Sequence, residues 1–157
     1  MVGVRVASPD DYDRVIAVVD EWFGRPVSSS LPRLFLDLFW ATSTVADDDQ
    51  GLAGFLVAFV SPSQPRLGYL HFVGIRPDRR RTGLARTLYE GFASYAQGQR
   101  CRELRAITAP GNRESIRFHE HLGFTATAPV ANFNGPGRAM VIFRRDLSGD
   151  LDGALLP

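Results

Sequence analysis

The residues of this chain best placed by type and spacing to do chemistry are gathered in the run Arg76-Pro77-Asp78-Arg79-Arg80-Arg81-Thr82-Gly83-Leu84-Ala85. A proline stop, four arginines and a glycine meet there, where an apolar strand-like run gives way to a helix-like one. A helix starting near Thr82 leaves its first backbone N–H groups without intrahelical partners and places the positive end of its dipole at the same spot. Gly83 has no Cβ to keep a phosphate from the main chain, Ala85 keeps the first turn open, and Arg80 and Arg81 add charge. The run therefore reads as a site for a phosphorylated ligand; a charged turn before an ordinary helix is the competing reading. A P-loop would need Gly-x-x-x-x-Gly-Lys-Ser/Thr, and the chain has no lysine. The Gly-x-Gly-x-x-Gly dinucleotide fingerprint after an early strand is also missing.

Histidine is the side chain that changes charge nearest neutral pH, so the settings of His71, His119 and His121 bear on any proton transfer. His71 lies in the apolar run 69–75, where alternation puts Tyr69, His71 and Val73 on one face; a core role competes with catalysis there. His119 shares a helical stripe with Ser115, Phe118 and Leu122, so packing competes there too. His121 follows two residues later and should face solvent or the next strand. Cys101 is the single cysteine. It excludes an intrachain disulfide framework, fits a reducing compartment, cannot build a zinc site alone, and is not expected to form an acyl intermediate.

The elements that must position these groups follow from periodicity and stop signals. Residues 2–7 alternate as a short strand. Ser8-Pro9-Asp10-Asp11 then opens a helix whose stripe of Tyr12, Val15, Ile16, Val19, Trp22 and Phe23 ends at Gly24. Residues 31–39 suggest a second helix, with Pro32 near its start. Strands at 42–46 and 52–60 flank a turn at 47–51, and a strand at 69–75 leads to the arginines. The next helix carries Ala85, Leu88, Tyr89, Phe92 and Ala96 on one face and stops at Gly98. A strand at 103–108, a helix from Asn112 to Leu122 closed by Gly123, and strands at 126–132 and 138–145 around Asn134-Gly135-Pro136-Gly137 complete the order.

At 157 residues, 45% hydrophobic and 22% charged, the chain is expected to be one globular domain over 1–147 with a frayed tail at 148–157. The 18 basic residues, all arginine, nearly balance 17 acids, and a net charge of +1 does not favour nucleic acid as a partner. No run of 18 apolar residues and no charged-then-apolar leader is present, so a cytoplasmic protein without a membrane partner is expected.

With the arginine-glycine loop between the fourth strand and the third helix of this order, the chain resembles the GNAT superfamily of acyl-CoA-dependent N-acyltransferases over nearly its whole length. The family's pyrophosphate loop, Arg/Gln-x-x-Gly-x-Gly/Ala, is met by Arg80, Gly83 and Ala85. A second pattern, Asn-x-x-Ser/Ala-x-x-x-Tyr-x-x-x-Gly-Phe, is met by Asn112, Ser115, Gly123 and Phe124. The resemblance implies an α/β (α+β) domain with a central, mixed, mostly antiparallel sheet of six to seven strands and about four helices. It implies acetyl-CoA as co-substrate and no metal. Main-chain groups of Val73, Gly74 and Ile75 would pair with the pantetheine arm. Arg80, Arg81, Thr82, Gly83, Leu84, Ala85 and Arg86 would hold the pyrophosphate, with Asn112 and Ser115 beside the cofactor; Asn112 also reads as a plain helix cap.

The function implied is acetyl transfer to a primary amine of a small molecule or protein, by direct attack in a ternary complex. A non-catalytic acyl-CoA-binding sensor is the alternative. Where many relatives have a tyrosine that protonates the departing thiolate, this sequence has His119, and an acid there predicts that His119→Phe lowers kcat by about 10²-fold. His71 is similar in position to one of two histidines that arylalkylamine acetyltransferases use to relay the amine's proton; its companion position is Tyr69. Trp22 and Arg25 at the end of the first helix, with Phe133 and Asn134 on the last loop, are candidates for the acceptor pocket, although Trp22 and Phe23 also continue the core stripe. Dimerisation, common in the family, is left undecided by the sequence.

Overall fold

The structure, a computed structural model, describes residues 1–149. Runs rich in β-branched and aromatic residues become β1 (Gly3–Val6), β2 (Thr44–Asp48), β3 (Gly51–Val60), β4 (Leu67–Ile75), β5 (Glu103–Thr108), β6 (Thr125–Ala126) and β7 (Val141–Asp146). The amphipathic runs become α1 (Tyr12–Phe23), α2 (Leu34–Phe39), α3 (Leu84–Gly98) and α4 (Arg113–His121). The seven strands form one sheet in the order β1-β2-β3-β4-β5-β7-β6. β1–β2, β2–β3, β5–β7 and β6–β7 are antiparallel, while β4 and β5 run parallel through Leu67↔Glu103, Gly68↔Leu104 and Tyr69↔Arg105. The order of elements is the one read from the sequence, and the mixed, mostly antiparallel sheet is the one the family resemblance implies.

The chain divides into two compact units, one of Met1–Phe59 with Leu70–Ser94, the other of Val60–Tyr69 with the chain from Tyr95 on. In the first, α1 turns Val15, Val19 and Trp22 into a core with Leu31, Leu36, Val45, Leu52, Phe55 and Val57. Each such side chain contributes about 1.5–3 kcal/mol of burial. Gly24, left-handed at φ 68, ends α1 as the stop signal required. In the second unit, Leu104, Ala106, Leu122, Phe124, Val141, Ile142 and Phe143 are buried.

Several boundaries differ from the sequence reading, and three of them have a physical reason in the chain. β2 runs on through Asp48, so the hairpin turn is confined to Asp49 and Gln50. α3 starts at Leu84 rather than near Thr82, because Gly83 is left-handed at φ 85 and cannot be part of a right-handed helix. The long strands expected at 126–132 and 138–145 shrink to the two-residue β6, a single bridge from Val130 to Met140, and β7. Pro129 lacks a ladder N–H, so pairing past β6 is reduced to the Val130–Met140 bridge, and the chain turns from Ala131 on through the left-handed Asn132 at φ 57. Of the tail expected at 148–157, residues 150–157 lie outside the described residues.

Candidate functional site

In the first unit, β4 delivers Val73, Gly74 and Ile75 to the start of the arginine loop. A Cβ on Gly74 would collide with the Phe55 ring, so glycine is what lets β4 lie against that core aromatic. Beyond Ile75 the chain makes one 3₁₀ turn, Pro77–Arg79, and then reverses handedness at Arg81 (φ 61) and Gly83 (φ 85) on either side of Thr82. A side chain Cβ on Gly83 would meet nothing within 4 Å, so backbone conformation and room for a ligand, not packing, call for glycine there. Arg81 takes a left-handed conformation without that freedom, at a cost of roughly 1–2 kcal/mol. The Thr82 hydroxyl donates to the Arg79 carbonyl at 2.5 Å, and Thr87 N donates to the Gly83 carbonyl at 3.0 Å, closing the first turn of α3. The N–H groups of Leu84 and Ala85 therefore precede the first intrahelical bond and point out at the positive end of the helix, a donor set suited to an anion.

The arginines are less available to such an anion than their number suggests. Arg76 and Arg79 both bond the Asp48 carboxylate. Arg80 donates from Nη2 to the carbonyl of Trp22, in the last turn of α1, where the helix dipole is negative. The Trp22 ring is core, 6% exposed and stacked on Phe55 at 6.2 Å, a setting that favours the core reading over a place in the acceptor pocket. Arg25 is exposed just past the helix end, as is Phe133 on the late loop.

His71 is half-buried in the first unit, its ring stacked on Phe35 at 3.9 Å and 9°. Nε2 lies 2.7 Å from the Ser30 carbonyl and must be the protonated nitrogen, so in the neutral ring Nδ1 carries the lone pair. Burial lowers the pKa below the ordinary histidine value, outweighing the Ser30 bond, which raises it. The neutral, basic form thus persists at pH 7.

In the second unit, Asn112 caps α4, its Oδ1 accepting from Ser115 N at 3.1 Å. That bond engages only the carbonyl oxygen of the amide. One turn on, His119 is 4% exposed. Its ring lies flat on Phe143 at 4.0 Å and 4°, with Phe118 and Phe124 edge-on at 5.2 Å each. Nδ1 is 2.8 Å from the Ser115 carbonyl and so must donate. Burial pushes the His119 pKa down to about 4 against the opposing effect of that bond. A general acid at pH 7 needs an imidazolium with a proton to give; here the ring is neutral and its one N–H is already donated. The physical setting of His119 therefore runs against the acid expected from the sequence and suits a packing group that seats α4.

His121 is exposed, with Nδ1 2.7 Å from the Arg117 carbonyl. Cys101 is buried, and burial pushes its thiol pKa up, the opposite of an activated nucleophile. Among the described residues no group of three or more His, Cys, Asp or Glu side chains could hold a metal ion, and no helix is long and apolar enough to cross a membrane. What the sequence reading missed is Asp48, read as part of a turn, and the left-handed Arg81; neither carries a local signal, since Asp48 gains its meaning only from Arg76 and Arg79, which follow β4.

Compared with known proteins, residues 12–124 match the model of the acetyltransferase (GNAT) family. A GNAT-family protein from Desulfovibrio desulfuricans superposes with a TM-score of 0.79 at 24% identity, over 94% of this chain and 99% of that one. Salmonella typhimurium yncA, solved with its cofactor acetyl-CoA, matches at 0.70 and 18% over 93% and 94%. Arabidopsis thaliana NAA60, solved with a bisubstrate analogue, matches at 0.70 and 18% over 93% and 98%. At these identities the likeness is one of fold. No curated protein matches the sequence.

Proposed function

From the premise that this chain belongs to the GNAT acetyltransferase family, we propose that it transfers an acetyl group from acetyl-CoA to a primary amine of a small molecule or peptide by direct attack in a ternary complex. The observation that carries this reading is the loop from Arg80 to Ala85. Its left-handed Arg81 and Gly83 and the N-terminus of α3 make a main-chain anion cradle directly after a strand whose residues 73–75 can pair with an extended ligand arm. Acetyl-CoA supplies a thioester whose acyl carbon accepts the amine as its C–S bond breaks, and CoA leaves as the thiolate, which takes its proton from water.

The residues of this chain would bind and orient. Backbone groups of Val73, Gly74 and Ile75 align the pantetheine arm and the main chain of residues 80–86 takes the pyrophosphate; Asn112 and Ser115, in the second unit, are cofactor contacts on the family resemblance alone. Holding amine and thioester together removes the entropic part of the barrier. His71, neutral and with its lone pair on Nδ1, is the base that receives the amine's proton. His119 keeps α4 seated rather than supplying a proton, and Arg25 is the one charged group proposed for the acceptor. Two fold relatives, the NatC complex bound to a Gag peptide and Paenibacillus lautus EctA in complex with its substrate L-2,4-diaminobutyric acid, span the two classes a panel should sample.

Thiol release from acetyl-CoA, followed with a panel of small amines and peptides, tests the proposal. Turnover on at least one amine is expected. Acetyl-CoA binding without turnover on any of them would mark a donor-binding sensor instead.

A further inference from the structure

Asp48 lies at the end of β2, outside every element that sequence pattern connects with donor binding, yet its side chain is wholly buried. Oδ1 accepts from Arg76 Nη1 at 3.1 Å and Oδ2 from Arg76 Nη2 at 2.5 Å, a bidentate pair. Arg79 reaches the same Oδ2 with Nε at 2.9 Å and Nη2 at 2.7 Å, and Gln50 N donates to Oδ1 at 2.9 Å. Arg76 is further bonded to the Leu52 carbonyl at 3.0 Å, and Arg76 N to the Ala53 carbonyl at 2.9 Å. The β2–β3 hairpin thus grips the two arginines that bracket the 3₁₀ turn Pro77–Arg79. From there the grip passes on, since the Arg79 carbonyl is the acceptor for Thr82, the residue between the two left-handed positions.

Two consequences follow from this geometry. Arg76 and Arg79 are engaged by a buried carboxylate, and Arg80 by the Trp22 carbonyl, so three of the four arginines of the run are committed to protein acceptors and main-chain N–H groups take a large share of any pyrophosphate contact. Main-chain recognition works only if the loop is held in its binding shape beforehand. We infer that Asp48 is a positioning residue for donor binding: by holding Arg76 and Arg79 it sets the backbone of residues 80–85 that receives the pyrophosphate. The inference rests on the acetyl-CoA reading above.

It separates from a merely structural role because only donors with a pyrophosphate should notice the change. Full-length wild type, Asp48→Asn and Arg79→Gln are titrated with acetyl-CoA and with S-acetylpantetheine, which carries the thioester and arm without the pyrophosphate, each followed by amide chemical shifts. Asp48→Asn is expected to weaken acetyl-CoA binding about 10-fold while S-acetylpantetheine changes by less than about 2-fold. Arg79→Gln should show the same selectivity with a smaller loss, and it decides the matter if Asp48→Asn does not fold. Equal weakening of both ligands, or no weakening of either, overturns the inference. Failure of wild type to bind acetyl-CoA would sink the donor reading and the inference with it, a result visible before any variant is made.

Discussion

β4 and α4 each carry a histidine tied by one ring nitrogen to a backbone carbonyl at nearly the same distance, 2.7 Å for His71 on Ser30 and 2.8 Å for His119 on Ser115, yet the two rings are prepared for different work. The bond of His71 uses Nε2 and comes from a loop 41 residues away, leaving Nδ1 as the basic nitrogen of a half-buried ring. The bond of His119 uses Nδ1 within its own helix, and the ring is closed in by Phe118, Phe124 and Phe143. Residue type sets what a histidine can do; burial and the choice of nitrogen set what it is ready to do.

The contrast can be broken most forcefully at His119. Truncation in His119→Ala should cost about 3 kcal/mol of stability in urea unfolding, because it empties a site between three aromatic rings. His119→Phe should keep the packing and leave kcat within about 3-fold; a drop of about 10²-fold would restore the general-acid role. Protonation should report the same burial. His119 has a folded pKa of about 4 against 6.5 unfolded, so its contribution, about 3 kcal/mol, is complete above pH 6.5 and lost as pH falls toward 4. Unfolding curves across that window should show the decline in wild type and a smaller one in His119→Phe.

His71 sharpens the other side. His71→Ala should lower kcat by about 10²-fold with little change in the KM for acetyl-CoA. With His71 in the proposed role of base, the acid limb of the wild-type kcat/KM profile should fall below pH 6.5, because burial lowers its pKa. A limb that survives unchanged in the variant would transfer the role to another group. Smallest are the loop effects. Gly83→Ala should cost about 1 kcal/mol and raise the KM for acetyl-CoA, since alanine resists the left-handed conformation at φ 85. Arg81→Gly should gain up to about 1 kcal/mol by relieving the same strain at φ 61, measured as a shift in urea midpoint.

Much of the fold was legible because its signals are local. The apolar stripe from Tyr12 to Phe23 and Gly24 after it placed α1, and the 103–108 alternation placed β5 at the residues observed. The stretch after Gly123 was not legible, because Thr125, Thr127 and Val130 look like one strand, whereas Pro129 has no ladder N–H and pairing shrinks to β6 and the Val130–Met140 bridge before the left-handed Asn132. At the candidate site, the arginine-glycine loop stood out at once, whereas the state of its arginines did not.

What the sequence by itself determined is the order of elements and the placing of Gly83 at a strand-to-helix junction, since periodicities of two and 3.6 residues and the φ freedom of glycine act over a few neighbouring residues. Only the tertiary structure decided which groups are available for chemistry. Arg76 meets Asp48 from 28 residues away, Arg80 meets Trp22 from 58, and the protonation of His71 depends on Ser30 and Phe35. Charge, tautomer and pKa are properties of a surrounding, and the surrounding is assembled from distant parts of the chain.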